Sequence, residues 1–261
     1  DVDMTQQVSV RGSASLNLGE GLVGAVVSGF ALDIARADVV TGNDALGTLQ
    51  TANVLSMSLS DASLFVGVGG AFNGDRSGVQ AGAGAVGFLA QGASLSLATV
   101  GKGTGSFTGL QVGLTNATLL GAPGLDLQVT NAQVCVNATT GAAGQRIDWD
   151  SATTVPSTPS NLLPTLDVDK TQQLSVRGSA SLNLGEGVVV AVVNGFAMEM
   201  TRADVVTGND ALGTLQAASV LSMSLSDASL FVGVGGALSA DRSGVQLADD
   251  AVGFRAQGAS L

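Results

Sequence analysis

The stretch Leu55–Val66 reads LSMSLSDASLFV, and its apolar residues alternate with polar residues in two short runs. Alternation with a period of two is typical of a β-strand. The phase slips at the pair Ser60-Asp61, because Leu59 and Ala62 are three positions apart instead of two. A β-bulge produces such a slip and bends the strand while keeping its apolar side chains on one face. We expect this face to point inward, with Leu55, Met57, Leu59, Ala62, Leu64 and Val66 in the core.

The same motif, an apolar run broken by a polar pair, occurs five times. The second residue of the pair is always Gly, Asp or Asn, which tolerate left-handed backbone angles better than other residues do. The pairs are Ser28-Gly29, Ser60-Asp61, Gln91-Gly92, Thr115-Asn116 and Thr130-Asn131. No helical periodicity of comparable length competes with them. The chain is therefore predicted to be all-β, as a Gly-rich, repetitive β-solenoid of bent strands. Tandem β-sandwich domains are the alternative, favoured by the irregular spacing of the motifs and by the hairpin signal Asn73-Gly74.

A large repeat organises the chain. Residues 1–95 recur as 167–261 with 19 differences, and SVRGSASLNLGEG is found unchanged at Ser9–Gly21 and Ser175–Gly187. Such closeness is expected of neighbouring units in an array. The differences also report side-chain direction. Leu89 becomes Arg255 while its neighbours persist, so we expect Leu89 to face water.

Three segments follow from the repeat. Residues 1–137 form a first β-repeat unit, and 167–261 form a second unit that stops partway through the pattern, as expected of a piece of a longer array. Residues 138–166 lie between them and hold three of the four prolines and the single tryptophan, Trp149. This composition predicts a Pro/Ser/Thr-rich linker or a lateral loop. Trp149 would cover a neighbouring unit or pack on its own repeat.

Composition excludes several function classes. The net charge of −11 repels phosphate backbones, so nucleic acid is not expected as a partner. The chain has no histidine and one cysteine, Cys135, which excludes Ser/His and Cys/His catalysis and zinc sites for this segment. We expect no enzyme activity. No apolar run reaches the ~20 residues that a transmembrane helix needs, so no transmembrane segment is expected.

Calcium is the one cofactor that the residue types allow, since carboxylate and carbonyl oxygens are its usual ligands. The loop TGND is the same in both units, and a pair of aspartates precedes each one. The weak metal-ligand candidates are Asp1, Asp3, Asn43, Asp44, Asp167, Asp169, Asn209 and Asp210. The alternative is that these residues only make turns. Two Asn-Ala-Thr triplets, at Asn116 and Asn137, match the glycosylation acceptor pattern.

Two stretches, ASLFVGVGG at 62–70 and GLDLQVTNAQVCVNATTG at 124–141, resemble the repeats of giant bacterial surface proteins of the adhesin and haemolysin-related kind. The resemblance implies secretion, an extracellular or cell-surface location and an elongated scaffold.

From the repeat and the resemblance together we expect a structural segment that forms a rod, fibre or surface filament, with self-association or adhesion. Its partners would be other copies of itself or neighbouring repeats, and a cell-surface or glycan contact. A calcium- or glycan-binding adhesin module is the alternative function.

Overall fold

A computed structural model describes residues 6–19, 21–141, 144–155 and 161–261, which form eleven β-strands. The strands are β1 (Gln6–Leu18), β2 (Val23–Val40), β3 (Thr48–Phe72), β4 (Val79–Lys102), β5 (Gly105–Leu120), β6 (Leu125–Thr140), β7 (Thr153–Val155), β8 (Gln172–Leu184), β9 (Val189–Val206), β10 (Thr214–Leu238) and β11 (Val245–Ala259). In this part of the chain no helix has the length and hydropathy to cross a membrane.

Ten of these strands form one antiparallel sheet in the order β1-β2-β3-β4-β5-β6-β8-β9-β10-β11, and β7 pairs with β2. The all-β prediction is confirmed. The arrangement of strands differs from the solenoid, because consecutive strands pair directly with each other. Connections such as Gly103-Thr104, between β4 and β5, are too short for anything but a hairpin. It differs from tandem sandwiches too, since one sheet runs through both units.

Four of the five predicted phase slips are present as β-bulges, at Ser28-Gly29, Ser60-Asp61, Gln91-Gly92 and Thr130-Asn131. The fifth, Thr115-Asn116 of β5, shows no register shift against β4 or β6. The register between β3 and β4 shifts between Leu59 and Ala62, and Asp61 has a φ of 48°. Gly92 and Asn131 also adopt positive φ, at 61° and 50°. The bulges cross the sheet near its middle, so each strand keeps its apolar side chains on the same face on both sides of the bend.

The apolar set of β3 lies on the face that the prediction did not expect. Phe65 is fully buried, whereas its neighbours Leu64 and Val66, on the opposite face, are 36% and 44% exposed. We call the face that carries Phe65 and Val54 the inner face, and the face that carries Leu64 and Val66 the outer face. The prediction was wrong because alternation identifies a shared face and does not show which face the rest of the chain covers.

One part of the inner face is covered by the end of the hairpin β3–β4, which folds back over its own sheet. The Val79 amide donates to Ser63 Oγ at 2.9 Å, and Val79 and Phe72 pack in the cluster around Phe65. A Cβ on Gly70 would lie 2.2 Å from the Phe65 ring, so only glycine lets the returning strand rest on that ring. Phe65 is therefore clamped between two layers.

Leu89 was predicted to face water, and this prediction was also wrong. Leu89 packs against the cluster around Phe65 on the inner face, while its neighbour Phe88 is exposed on the outer face. In the second unit, Arg255 takes this place and donates from Nη2 to the Val245 carbonyl at 2.9 Å. A long side chain that bonds the folded-back strand can replace a leucine there, which explains why the substitution misled the prediction.

The segment between the units covers another part of the inner face. Residues 144–155 and 161–168 pack on the first unit, and they bury Trp149 completely. A Cβ on Gly109 would lie 2.7 Å from the Trp149 ring, so the indole rests directly on the backbone of β5. Trp149 thus packs on its own repeat, and this segment lies against the sheet as a lateral loop.

Replacing Phe65 by alanine tests the folded-back hairpin. We expect Phe65→Ala to lower the free energy of unfolding by about 3–5 kcal/mol, because it leaves a cavity between the two layers. Phe88→Ala removes the same ring from the outer face and is expected to cost less than about 1.5 kcal/mol, because Phe88 is already partly hydrated. Urea unfolding followed by circular dichroism measures both. Equal losses would contradict the clamped position of Phe65.

Candidate interaction surfaces

The outer face carries a continuous row of apolar side chains across nine strands. Successive cross-strand pairs connect the members of this row directly. They are Val10, Leu32, Met57, Leu97, Leu110, Val136, Leu174, Met200 and Leu221. None of them belongs to the buried core, and Val10 and Leu221 are exposed. We call this surface the outer apolar face.

Further apolar residues widen the outer apolar face towards the turns. Leu18, Val23, Val66, Phe88 and Leu119 form a second row across β1 to β5. Large exposed apolar patches mark interaction sites, because water contact with them is unfavourable. A face of this kind can pack against the face of another sheet, at a layer spacing of about 10 Å.

A second surface is the edge of β1 that points away from β2, which we call the outer edge of β1. Within the described residues β1 pairs only with β2, so its other edge presents backbone N–H and C=O groups that are not used in the sheet. An unpaired edge is a template for another strand. The free edge of β11, at the opposite end of the sheet, has the same character.

Where the two units meet, the corresponding edge of β8 is occupied by a strand of the first unit. Strand β6 of the first unit pairs with β8 of the second through ten residue pairs, from Leu125↔Leu184 to Val136↔Leu174. Side chains reinforce the backbone pairing, since Arg177 Nε donates to Gln133 Oε1 at 2.7 Å. We call this contact the unit junction.

The folded-back hairpin of the second unit also reaches across the unit junction. Its Arg242 forms a bidentate pair with Asp126 of β6, at 3.0 and 2.6 Å, and Arg242 Nη1 lies 3.4 Å from Ser181 Oγ. Charge-assisted bidentate pairs are the stronger kind of hydrogen bond, and this one is partly shielded from water. The two units are therefore joined by backbone pairing between β6 and β8 and by side-chain contacts on the inner face.

The lateral loop is held to the first unit by Asn137, a buried side chain at the end of β6. Its Nδ2 donates to the carbonyls of Ile147 and Asp169, both at 2.8 Å, and its Oδ1 accepts from Trp149 Nε1 at 3.0 Å. All three groups would otherwise be buried without partners. Asn137 matches the glycosylation pattern in sequence, but its buried amide serves the loop instead.

Cys135 lies beneath the same loop. It is buried, and its Sγ lies 3.8 Å from Gln111 Oε1. Burial raises the pKa of the Cys135 thiol, and the nearby Asp167 carboxylate acts in the same direction. A thiol with a raised pKa carries little thiolate at neutral pH and reacts slowly.

The TGND loops use their amide oxygens for turns. Asn43 Oδ1 accepts from the Ala45 amide at 3.0 Å, and Asn43 Nδ2 donates to the Arg146 carbonyl at 2.8 Å, so this loop anchors the lateral loop. In the second unit Asn209 Oδ1 accepts from Ala211 at 2.9 Å in the same way. Asp44 and Asp210 are exposed beside these turns.

The other described candidates are also engaged. Asp167 pairs with Arg177, and Asp169 Oδ1 accepts from the Thr171 amide and hydroxyl, each at 2.6 Å. Partial burial opposes ionisation of Asp169, but the hydrogen bonds from Thr171 and Gln172 outweigh it and lower its pKa. Across the described ranges, no three His, Cys, Asp or Glu side chains form a group that could hold a metal ion. Asp1 and Asp3 lie outside the described residues.

Sequence reasoning did not single out Asp126, Arg177 or Arg242, which hold the unit junction. The sequence contained one signal for Arg242. Arg76 and Arg242 are the same residue in both units, although the two positions before Asp75 change from Asn73-Gly74 to Ser239-Ala240. A retained arginine in a variable turn indicates a partner elsewhere in the fold.

Comparison with known proteins adds no relative, because no family model, curated protein or solved structure matches the chain.

Replacing Asn137 tests the attachment of the lateral loop. We expect Asn137→Ala to lower the free energy of unfolding by about 2–4 kcal/mol, since it leaves the Trp149 N–H and two carbonyls unpaired. Alkylation of Cys135 should become faster and Trp149 fluorescence should shift to the red. Asn116→Ala is the matched control, because Asn116 occupies the same triplet but binds only Gln128. A loop that keeps Cys135 protected without Asn137 would contradict this role.

Proposed function

We propose that the chain is a structural segment of an extracellular tandem-repeat protein, in which successive units extend one continuous sheet into a rod, fibre or surface filament. The observation that carries the proposal is the unit junction, where β8 of the second unit continues the sheet of the first unit without a break.

The geometry indicates how such an array grows. Each unit contributes six consecutive strands to the sheet, from β1 to β6, before the next unit begins at β8. Neighbouring strands are about 4.8 Å apart, so each unit adds roughly 30 Å across the strands. Because each unit contacts mainly its neighbours, the stability of the array increases with each unit added.

The outer apolar face supports lateral self-association. The row from Val10 to Leu221 carries no charge and runs across both units. Two such faces can bury each other, which would turn a single sheet into a two-layered fibre. The extracellular location remains part of the proposal, and it rests on the resemblance to bacterial surface proteins.

Electron microscopy tests the continuous sheet. We expect the purified chain to span about 50 Å across its ten paired strands, and about 30 Å more when one further 166-residue unit is added, because the sheet grows edge to edge. The added unit should also raise the midpoint of thermal unfolding. Compact particles whose length does not change with the number of units would overturn the proposal.

A charge on the outer apolar face tests self-association. Met223 is 63% exposed on the outer face, and Ser222 beside it is exposed on the inner face. We expect Met223→Glu to weaken self-association at least tenfold, because packing would bury an unpaired carboxylate. Ser222→Glu adds the same charge on the inner face and should leave association unchanged. Analytical ultracentrifugation measures both, and a wild-type chain that stays monomeric at high concentration would contradict lateral packing.

A further inference from the structure

The sequence SVRGSASLNLGEG lies in two different environments in one structure. In β8 it is an interior strand between β6 and β9, whereas in β1 it is an edge strand that pairs only with β2 among the described residues. Ser181 of β8 is buried, while its counterpart Ser15 of β1 is exposed. The two strands thus have the same sequence over this stretch but different neighbouring strands.

We propose that the outer edge of β1 is a receptor for a β6-type strand, the segment Leu125–Val136 of another unit of this protein. The proposal rests on the proposed function and names the partner of one edge and its register. The occupant follows from the unit junction, because the β8 sequence that binds this segment there differs from β1 only in Leu174, which is Val8 in β1.

The unit junction also gives the register of the new contact. Subtracting the repeat length of 166 residues from each β8 position transfers the pairing to β1. Leu125 of the incoming strand would lie opposite Leu18, Gln128 opposite Ser15, Val134 opposite Val10, and Cys135 opposite Ser9. Apolar residues of the incoming strand would then continue the outer apolar face.

Two arginines of the second unit bind β6, and their counterparts in the first unit lie near the outer edge of β1. Arg177 binds Gln133 of β6, but its counterpart Arg11 turns back to Asp33 of β2, with two contacts of 3.0 Å and a side chain that is 59% exposed. Arg11 is therefore near enough to the edge to take the same role when a strand with Gln133 arrives.

The second arginine is at the tip of the folded-back hairpin. Arg242 binds Asp126 of β6, whereas its counterpart Arg76 lies over the Phe72 ring, 5.9 Å from its centre. An exposed cation–ring contact is worth less than a bidentate pair with a carboxylate. Arg76 thus has a stronger partner in the incoming strand than it has within its own unit.

The groove beneath each hairpin tip shows the same difference. In the second unit it is lined by Ser179, Ser181 and Arg242, and by Gln128 and Thr130 from β6. In the first unit the corresponding groove is lined by residues of β1, β2 and the hairpin tip alone, including Arg76. An incoming β6-type strand would supply the missing wall.

A synthetic peptide with the sequence of residues 124–137, GLDLQVTNAQVCVN, tests the proposal on the whole chain. The chain carries Cys135→Ser together with Ser9→Cys, so its one thiol lies opposite the peptide cysteine in the proposed register. Directly opposed residues of an antiparallel pair are within disulfide range. We expect mild oxidation to cross-link this pair at least tenfold more than the matched control, Cys135→Ser with Ser15→Cys, which places the same thiol on the same face six residues away.

A second measurement does not depend on disulfide geometry. The affinity of the labelled peptide, measured by fluorescence anisotropy, should fall about fivefold in the Arg76→Ala chain, because the pair with Asp126 is lost. Arg36→Ala is the control, since Arg36 binds Asn53 away from this edge, and it should leave the affinity unchanged. A peptide in which Asp126 is replaced by Ala should bind the wild-type and Arg76→Ala chains equally.

The outcomes separate the two proposals. Equal cross-linking of Ser9→Cys and Ser15→Cys, or no binding of the peptide, would overturn the receptor role of β1. Dimers of the chain linked through two Ser9→Cys thiols without peptide would overturn it as well, because β1 would then pair with itself. Particles that grow with each added unit but do not bind the peptide would leave the scaffold proposal standing, and particles of constant size that bind the peptide in register would do the reverse.

Discussion

The extra residue near the middle of β2, β3, β4 and β6 is the constraint on which the rest of the sheet depends. A long strand with strict alternation would send its apolar residues to the opposite face after a bulge, because the bulge inserts one residue. At Asp61 the bulge absorbs the bend, so Leu59 and Ala62 stay on the same face. Because neighbouring strands carry their bulges at the same level, the outer apolar face continues from one strand to the next.

The inner face is completed by segments that the strands themselves do not provide. The hairpin β3–β4 returns over Phe65, and the lateral loop brings Trp149 onto the backbone of β5. Both covers depend on glycine at the point of contact, because a side chain there would hold the layers apart. The chain has few aromatic residues, so single rings such as Phe65 and Trp149 fill space that several side chains fill in larger cores.

The unit junction shows how a repeat can be joined by ordinary strand pairing. Backbone hydrogen bonds between β6 and β8 make the connection, and Arg177 and Arg242 add contacts that select the partner strand. Backbone pairing alone accepts many sequences, so the choice of neighbour falls to side chains that can reach Gln133 and Asp126. The same arginines in the first unit, Arg11 and Arg76, hold local partners instead.

The sequence by itself determined the all-β class, four of the five expected bulge positions and the length of the repeat, because these depend on local alternation and on residues that tolerate positive φ. Only the tertiary structure decided which face is covered, which is why Leu64, Val66 and Leu89 were assigned to the wrong side. It also decided that Asn43 and Asp169 hold turns, and that the nearly identical strands β1 and β8 have different neighbours. Alternation is a property of one strand, whereas burial and pairing depend on segments far away in the chain, and no local pattern records where those segments come to lie.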